Sequence, residues 1–177
     1  GDISGRALLL KHNRIVLPII ESHGGKVTEI IGDAVMASFP SALQAVKSAV
    51  AIQQALQAHN LETEPADRIH VKIGINSGEA LVDEGKVFQA MTGDVANVAS
   101  RIQSHAGSDE ILTSKAVYGQ VCGSEDNLCR FCKTIQVKGK KEPLDIYRVV
   151  WRDEEVIVEA EPRVRLYETD EVNKTEK

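Results

Sequence analysis

The sequence predicts a mixed α/β fold, a mostly antiparallel sheet with helices packed on it. Three observations carry that expectation. Apolar residues recur at helical spacing in three separate stretches. Between them lie β-branched segments interrupted by Gly32-Asp33 and Asn76-Ser77-Gly78. The two patterns follow one another as helix, hairpin, helix, hairpin, helix and then further strands, an order that belongs to α+β domains.

The first helix is read from Leu8, Leu9, His12, Ile15, Val16, Ile19 and Ile20, which share one face. Asp2 to Gly5 reads as a strand end or loop, and Pro18 as a kink or restart inside the helix. Gly24-Gly25 ends the helix and turns the chain into a hairpin. Val27 to Ile31 form its first strand, Gly32-Asp33 the two central turn positions, and Ala34 to Phe39 the return. Pro40-Ser41 opens a second helix, with Ala42, Ala45, Val46, Ala49, Val50, Ile52 and Leu56 inward and an end near His59-Asn60. Its alanines permit close approach to a sheet.

Residues 61–68 are polar, contain Pro65 and read as a loop. Ile69, Val71, Ile73 and Ile75 then alternate with polar residues and glycine as a half-buried strand. A second strand is expected over 79–82, a turn over 83–85 and a strand end or loop over 87–91. Val95, Val98, Ala99 and Ile102 give a third helix ending near Ala106-Gly107. Ile111-Leu112 is a short strand before a short helix from Ala116 to Val121. Residues 128–137 and 145–150 are the last strands, joined by the basic turn Lys138-Gly139-Lys140-Lys141. The domain is placed at residues 1–151. The remainder, 152–177, is an acidic extension with short apolar runs at 156–158 and 164–167.

A formal charge of −5 and 4% aromatic residues exclude a general nucleic-acid surface, while leaving room for a local basic pocket that takes phosphates. No apolar run approaches a membrane span, and the chain opens without a targeting segment. Cys122, Cys129 and Cys132 are an odd number, and Cys129-Arg-Phe-Cys132 has no second pair. It reads as a reduced structural pair on a strand or loop rather than a redox or zinc site.

Three features call for one explanation. Asp33 is a carboxylate at a hairpin tip. Gly93-Asp94 leads into a helix on which Asn97 and Arg101, four apart, share a face one turn from each other. The turn at Lys138 is basic. An amide and a planar donor fork side by side suit a phosphate ester, although each feature alone also fits a polar turn or an ordinary surface.

With His12, Gly24-Gly25, Ile31-Gly32-Asp33, Gly74-Ile75, Ser77-Gly78, Gly93-Asp94, Asn97-Val98-Ala99-Ser100-Arg101, Val137-Lys138-Gly139-Lys140 and Tyr147 in order, the chain resembles the catalytic domain of the class III nucleotidyl cyclases. The resemblance covers nearly all of residues 6–150. It implies a ferredoxin-like nucleotide cyclase fold, a head-to-tail homodimer with sites at the interface, and a purine nucleoside triphosphate as substrate. By the same resemblance Asp2 and Asp33 are the metal aspartates for two Mg²⁺ (or Mn²⁺) ions. Asn97 orients the ribose, Arg101 meets charge on the α-phosphate, and Lys138 meets the terminal phosphates. Asp2-Ile3-Ser4-Gly5 matches the family's first aspartate motif but stands only 31 positions before Asp33, a shorter interval than the family's. A segment omitted between Gly5 and Arg6 is the expected reason, with a genuine deletion or an accidental match of the motif as the alternatives.

By the same resemblance Glu29 and Ala90 match the family's two base-recognition positions. A carboxylate at 29 suits guanine's donors and Ala90 offers no polar contact, whereas the family that the chain resembles more often uses ATP in its single-domain members, so ATP ranks only just ahead of GTP. A catalytically silent cyclase-like dimerisation module is the alternative of another class. The resemblance further implies a cytoplasmic domain, or the cytosolic part of a larger signalling protein with an upstream sensor.

Overall fold

The computed structural model describes residues 2–78, 94–122, 129–136 and 142–152. Helix α1 spans Asp2–Ser22 without a break. Asp2 to Gly5, expected as a strand end or loop, instead form its first turn. A strand there would need a neighbour for its N–H and C=O groups, and among the described residues none lies beside it, whereas a helix bonds them internally. The helix also runs through Gly5-Arg6 and through Pro18. The hydrogen bond that Pro18 cannot donate is offset by anchorage on both sides of it, since Val16 and Ile20 are both buried.

The helix ends as glycine permits. Gly24 adopts φ 75°, its N–H donates to the Glu21 carbonyl at 2.9 Å, and the Gly25 N–H donates to the Ile20 carbonyl at 2.9 Å. That pair of bonds is a Schellman stop. Gly25 lies under the Phe39 ring, where a Cβ would approach ring carbon Cε1 to 2.4 Å.

Strands β1 (Lys26–Ile31) and β2 (Ala34–Ser38) follow as the expected antiparallel hairpin. Gly32 has φ 62° and Asp33 does not have positive φ, the sign pattern of a type II′ turn with glycine at its first central position. A bulge between Val27 and Glu29 leaves Thr28 unpaired in the ladder, and its hydroxyl donates to the Met36 carbonyl at 3.2 Å. The bulge resets the alternation. Val27 packs inward with Val35, Ala37 and Phe39, while Glu29 pairs with Met36 on the opposite face.

Helix α2 (Ala42–Leu61) is capped by Ser41, whose hydroxyl accepts from the Gln44 N–H. It joins two cores. Ala42, Val46 and Ala49 pack with the sheet, and Ile52 and Leu56 with Val16 and Ile20 of α1. The loop after it contains a single 3₁₀ turn at Pro65–Asp67.

The strand expected from Ile69 is shorter: β3 spans Ile73–Ile75. Side chains of α2 stand in for a strand partner before it. Asn60 Nδ2 donates to the Ile69 carbonyl at 2.7 Å, Asn60 Oδ1 accepts from the Ile69 N–H at 2.8 Å, and buried Gln53 donates to the Val71 carbonyl at 3.2 Å.

Beyond it come α3 (Asp94–Ser104), β4 (Ile111–Ser114), α4 (Lys115–Val121), β5 (Cys129–Ile135) and β6 (Leu144–Val149). Among the described residues the strands order as β3-β4-β6-β5, with β3 and β4 parallel and the other pairs antiparallel, and the β1–β2 hairpin forms a separate ladder. One face packs Ile111, Val117, Val121, Cys129, Val149 and Trp151 with α2 and α4. The other packs Leu112, Ile135 and Ile146 with Val98 and Ile102 of α3.

Cys129 and Cys132 therefore serve opposite faces of β5, consistent with a structural role, and all three cysteines are free thiols. Burial pushes the Cys129 thiol pKa up, with Arg130 opposing more weakly. Trp151 belongs to the core, and Arg152, placed by the sequence in the extension, also touches the body. The elements expected at 79–82, 83–85, 87–91, 138–141, 156–158 and 164–167 lie outside the described residues. Among the described residues no helix is long and apolar enough to cross a membrane.

Candidate active site

The hairpin turn puts Asp33 at an exposed tip, held by the β1–β2 ladder and free of core packing. Glu29 is on the same hairpin, exposed, on the face shared with Met36 and Ile31. A few residues of β-sheet thus carry two carboxylates and two exposed isoleucines, Ile30 at 47% and Ile31 at 63% exposure. The rigid ladder fixes their backbone while water reaches their side chains.

Asn97 and Arg101 are presented by α3. Both are exposed, whereas Val98 and Ile102 of the same helix are buried, so the helix divides into a core face and a polar face. Its seat is unusually close. A Cβ at Gly74 would lie 2.3 Å from the Gln103 backbone nitrogen and 2.4 Å from the Ala99 carbonyl oxygen. At Gly78 it would meet Val95 Cγ2 at 2.6 Å, and between the two glycines Asn76 Nδ2 donates to the Val95 carbonyl at 3.1 Å. Ser77, on the alternate face, accepts from Gln120 Nε2 of α4 at 2.7 Å.

The sequence-predicted residues thus fall into two groups on separate elements: Glu29 with Asp33 on the β1–β2 hairpin, and Asn97 with Arg101 on helix α3. Asp2 lies in the first turn of α1 rather than on a strand. Ala90 and Lys138 lie outside the described residues.

Among the described residues no cluster of three or more His, Cys, Asp or Glu side chains forms a self-sufficient metal centre. Asp33 suits a different kind of site. It is an accessible hard-oxygen donor, and Mg²⁺ characteristically takes one or two carboxylates and completes its shell with water and substrate phosphates.

The sequence reading missed one polar cluster. Asp109 adopts φ 61°, a left-handed conformation uncommon for a side chain other than glycine. Its carboxylate meets His70 Nδ1 at 2.8 Å and Arg152 at 3.6 Å, and its carbonyl accepts from Trp151 Nε1 at 2.9 Å. Arg152 also stacks over the Trp151 ring at 4.5 Å. The cluster borders a cleft of about 180 Å³ lined in part by Gln53, Asn60 and Arg68. It fastens the chain after β6 to the turn before β4. Its only sequence signal was the Gly107-Ser108-Asp109 turn composition.

Residues 4–150 match the family described as adenylate and guanylate cyclase catalytic domain. A putative adenylate cyclase 3 of Rhizobium meliloti is 34% identical over 67% of this chain, and the match takes in 20% of that protein. An adenylate cyclase of Anabaena cylindrica is 32% identical over 73% of this chain and 29% of its own length. The chain therefore spans less than a third of either relative. The crystal structure of an adenylate/guanylate cyclase/hydrolase from Silicibacter pomeroyi superposes with a TM-score of 0.68 and 28% identity, covering 80% of this chain and 81% of that one.

Proposed function

Because the chain belongs to the adenylate and guanylate cyclase catalytic domain family, we propose that it cyclises a purine nucleoside triphosphate, ATP ahead of GTP, to the 3′,5′-cyclic monophosphate and pyrophosphate. The observation that supports this most is the polar face of α3, where Asn97 and Arg101 stand one turn apart and exposed while the opposite face is locked into the sheet.

In the reaction the substrate's own 3′ oxygen attacks the α-phosphorus in line. The bond to the bridging oxygen of the β-phosphate breaks, pyrophosphate leaves, and the hydroxyl proton is lost to solvent. The protein's work is positioning and charge stabilisation. Arg101 donates to charge that develops on the α-phosphoryl oxygens, and Asn97 holds the ribose so that its 3′ oxygen faces the phosphorus. Lys138 takes the terminal phosphates. Asp33 would hold Mg²⁺ or Mn²⁺, two ions in all, with Asp2 as the second carboxylate on the family resemblance alone, since its place on α1 adds nothing to that role. Such ions, when bound, supply Lewis-acid stabilisation of the nucleophile and leaving group.

The hairpin and α3 groups stand on separate elements of one chain, which, with the family resemblance, favours a homodimer in which Asp33 of one protomer faces Asn97 and Arg101 of the other. The greater length of the relatives favours a larger parent protein, and the family resemblance favours an upstream sensor and a cyclase part in the cytosol. One observation favours GTP as a second reading: Glu29 is exposed on the hairpin, free to accept from guanine N1–H and N2–H₂, and a carboxylate would repel adenine N1.

The test is turnover of ATP against GTP with Mg²⁺ and with Mn²⁺, read as 3′,5′-cyclic product and pyrophosphate in equal amounts. Cyclic product from ATP above that from GTP is expected. The reverse order moves the assignment to guanylate, and no cyclic product from either, in a folded dimer with both metals, leaves the silent dimerisation module as the surviving reading.

A further inference from the structure

Strand β3 and the extended segment that follows it, residues 76–78, alternate between two sides. Residues 74, 76 and 78 lie on the α3 side, and 73, 75 and 77 on the other. On the α3 side two positions are glycines that let the strand touch the helix. Gly74 abuts the Ala99 carbonyl and the Gln103 nitrogen, and Gly78 abuts the Val95 side chain. The remaining position, Asn76, is half-buried and makes the polar contact, Nδ2 to the Val95 carbonyl at 3.1 Å. On the other side Ile73 and Ile75 pack into the core, and Ser77 is held by Gln120 of α4.

We infer that Asn76 is a positioning residue for the reaction, fixing through the Val95 carbonyl where the first turns of α3 hold Asn97 and Arg101. The inference rests on the cyclase reading of that helix face. Van der Waals contact with glycine resists approach but resists sliding poorly, because a smooth backbone offers nothing to catch. A directional hydrogen bond to one carbonyl fixes both the rotation of the helix and its place along its axis. Val95 is two residues before Asn97, and in helical geometry its carbonyl also accepts from the Ala99 N–H. Both lone pairs of that oxygen are thereby used. The segment after β3 that carries Asn76 is itself pinned from behind at Ser77 by Gln120, so the latch has a fixed base.

Removing the donor leaves the Val95 carbonyl bonded within the helix and leaves the core untouched. The fold is retained while α3 gains freedom to shift by tenths of an ångström. A misplacement of that kind acts on the aligned transition state more than on nucleotide affinity. Asn76→Ala should therefore lower kcat roughly tenfold with KM changed less than about twofold. Asn76→His, which returns a ring N–H at similar reach, should recover most of the loss.

The full 177-residue chain is used, with kcat and KM for ATP and GTP measured for the parent, Asn76→Ala, Asn76→His, Asn97→Ala and the Asn76→Ala/Asn97→Ala double variant. Backbone hydrogen exchange of residues 97–101 is followed in parallel. The Asn76→Ala loss should shrink in the Asn97→Ala background, because the two act on one function. The Ala99 amide should exchange roughly tenfold faster in Asn76→Ala. Parental kcat and exchange in Asn76→Ala overturn the inference, as does an undiminished loss in the Asn97→Ala background accompanied by a general fall in stability. If the parent cyclises neither nucleotide, the proposed function fails at that point. The exchange rates then still decide whether Asn76 holds α3 in place.

Discussion

Gly74→Ala is the substitution whose consequence can be worked from distances. The added methyl would sit 2.3 Å from the Gln103 nitrogen and 2.4 Å from the Ala99 carbonyl oxygen, both backbone atoms that no rotamer change can move aside. Restoring ordinary separation, about 3.5 Å, requires the helix to withdraw by about 1 Å. Overpacking of this kind costs about 1–3 kcal/mol, which for a domain of this size lowers Tm by about 5 °C. The same withdrawal carries Asn97 and Arg101 away from their working positions, and a 1 Å misplacement costs up to ~100-fold in turnover. The assay is thermal unfolding together with kcat for cyclic nucleotide formation. Gly119→Ala serves as control, since a Cβ at that position meets nothing within 4 Å and alanine suits a helix better than glycine. Gly74→Ala with parental Tm and parental kcat would refute the claim that the close seat of α3 sets the site.

Three further outcomes are expected. Asp33→Asn should reduce kcat ~100-fold or more with Tm nearly unchanged, because the residue sits exposed at a turn and its charge rather than its packing is used; near-parental turnover at saturating Mg²⁺ would remove Asp33 from the metal site. Glu29→Lys should move the ATP-to-GTP ratio of kcat/KM toward ATP by roughly tenfold, the scale of one polar recognition contact, and an unchanged ratio in an active protein would show that residue 29 does not read the base. Burial raises the Cys129 thiol pKa, so the unfolded chain ionises first. The stability this contributes is full below the unfolded thiol pKa of about 8.5 and is lost as pH rises through the folded value. Denaturant unfolding from pH 7 to 10 should show that loss, and a Cys129→Ala chain should show a flatter profile.

Periodicity and turn chemistry made most elements readable from the residues alone. Gly32-Asp33 after a β-branched run specified a hairpin, Pro40-Ser41 before an alanine-rich period specified a helix start, and Asn97 and Arg101 at four-residue spacing specified a shared helix face. Three features depended on partners distant in sequence. Asp2 to Gly5 resembles a strand end, but with no strand beside it among the described residues the segment joins α1. Ile69 to Lys72 alternates like a strand, yet Asn60 and Gln53 from α2 take its backbone bonds and shorten β3 to Ile73–Ile75. Asp109 gathers His70, Trp151 and Arg152 across long sequence separations, and no local spacing signals such a meeting. In the site itself the residue types were legible, whereas the close seat of α3 on Gly74 and Gly78 follows only from the packed backbones.

The central claim is that Asp33 and the Asn97–Arg101 face act on one nucleotide, contributed by two chains. Mixing Asp33→Asn chains with Arg101→Ala chains, each inactive by itself, tests it directly. Each mixed dimer would hold one site with both defects and one site with neither. Recovery of about a quarter of parental activity is expected, since half of the dimers are mixed and each has one of two sites intact. Mixed dimers that are demonstrably present and remain inactive would contradict the claim.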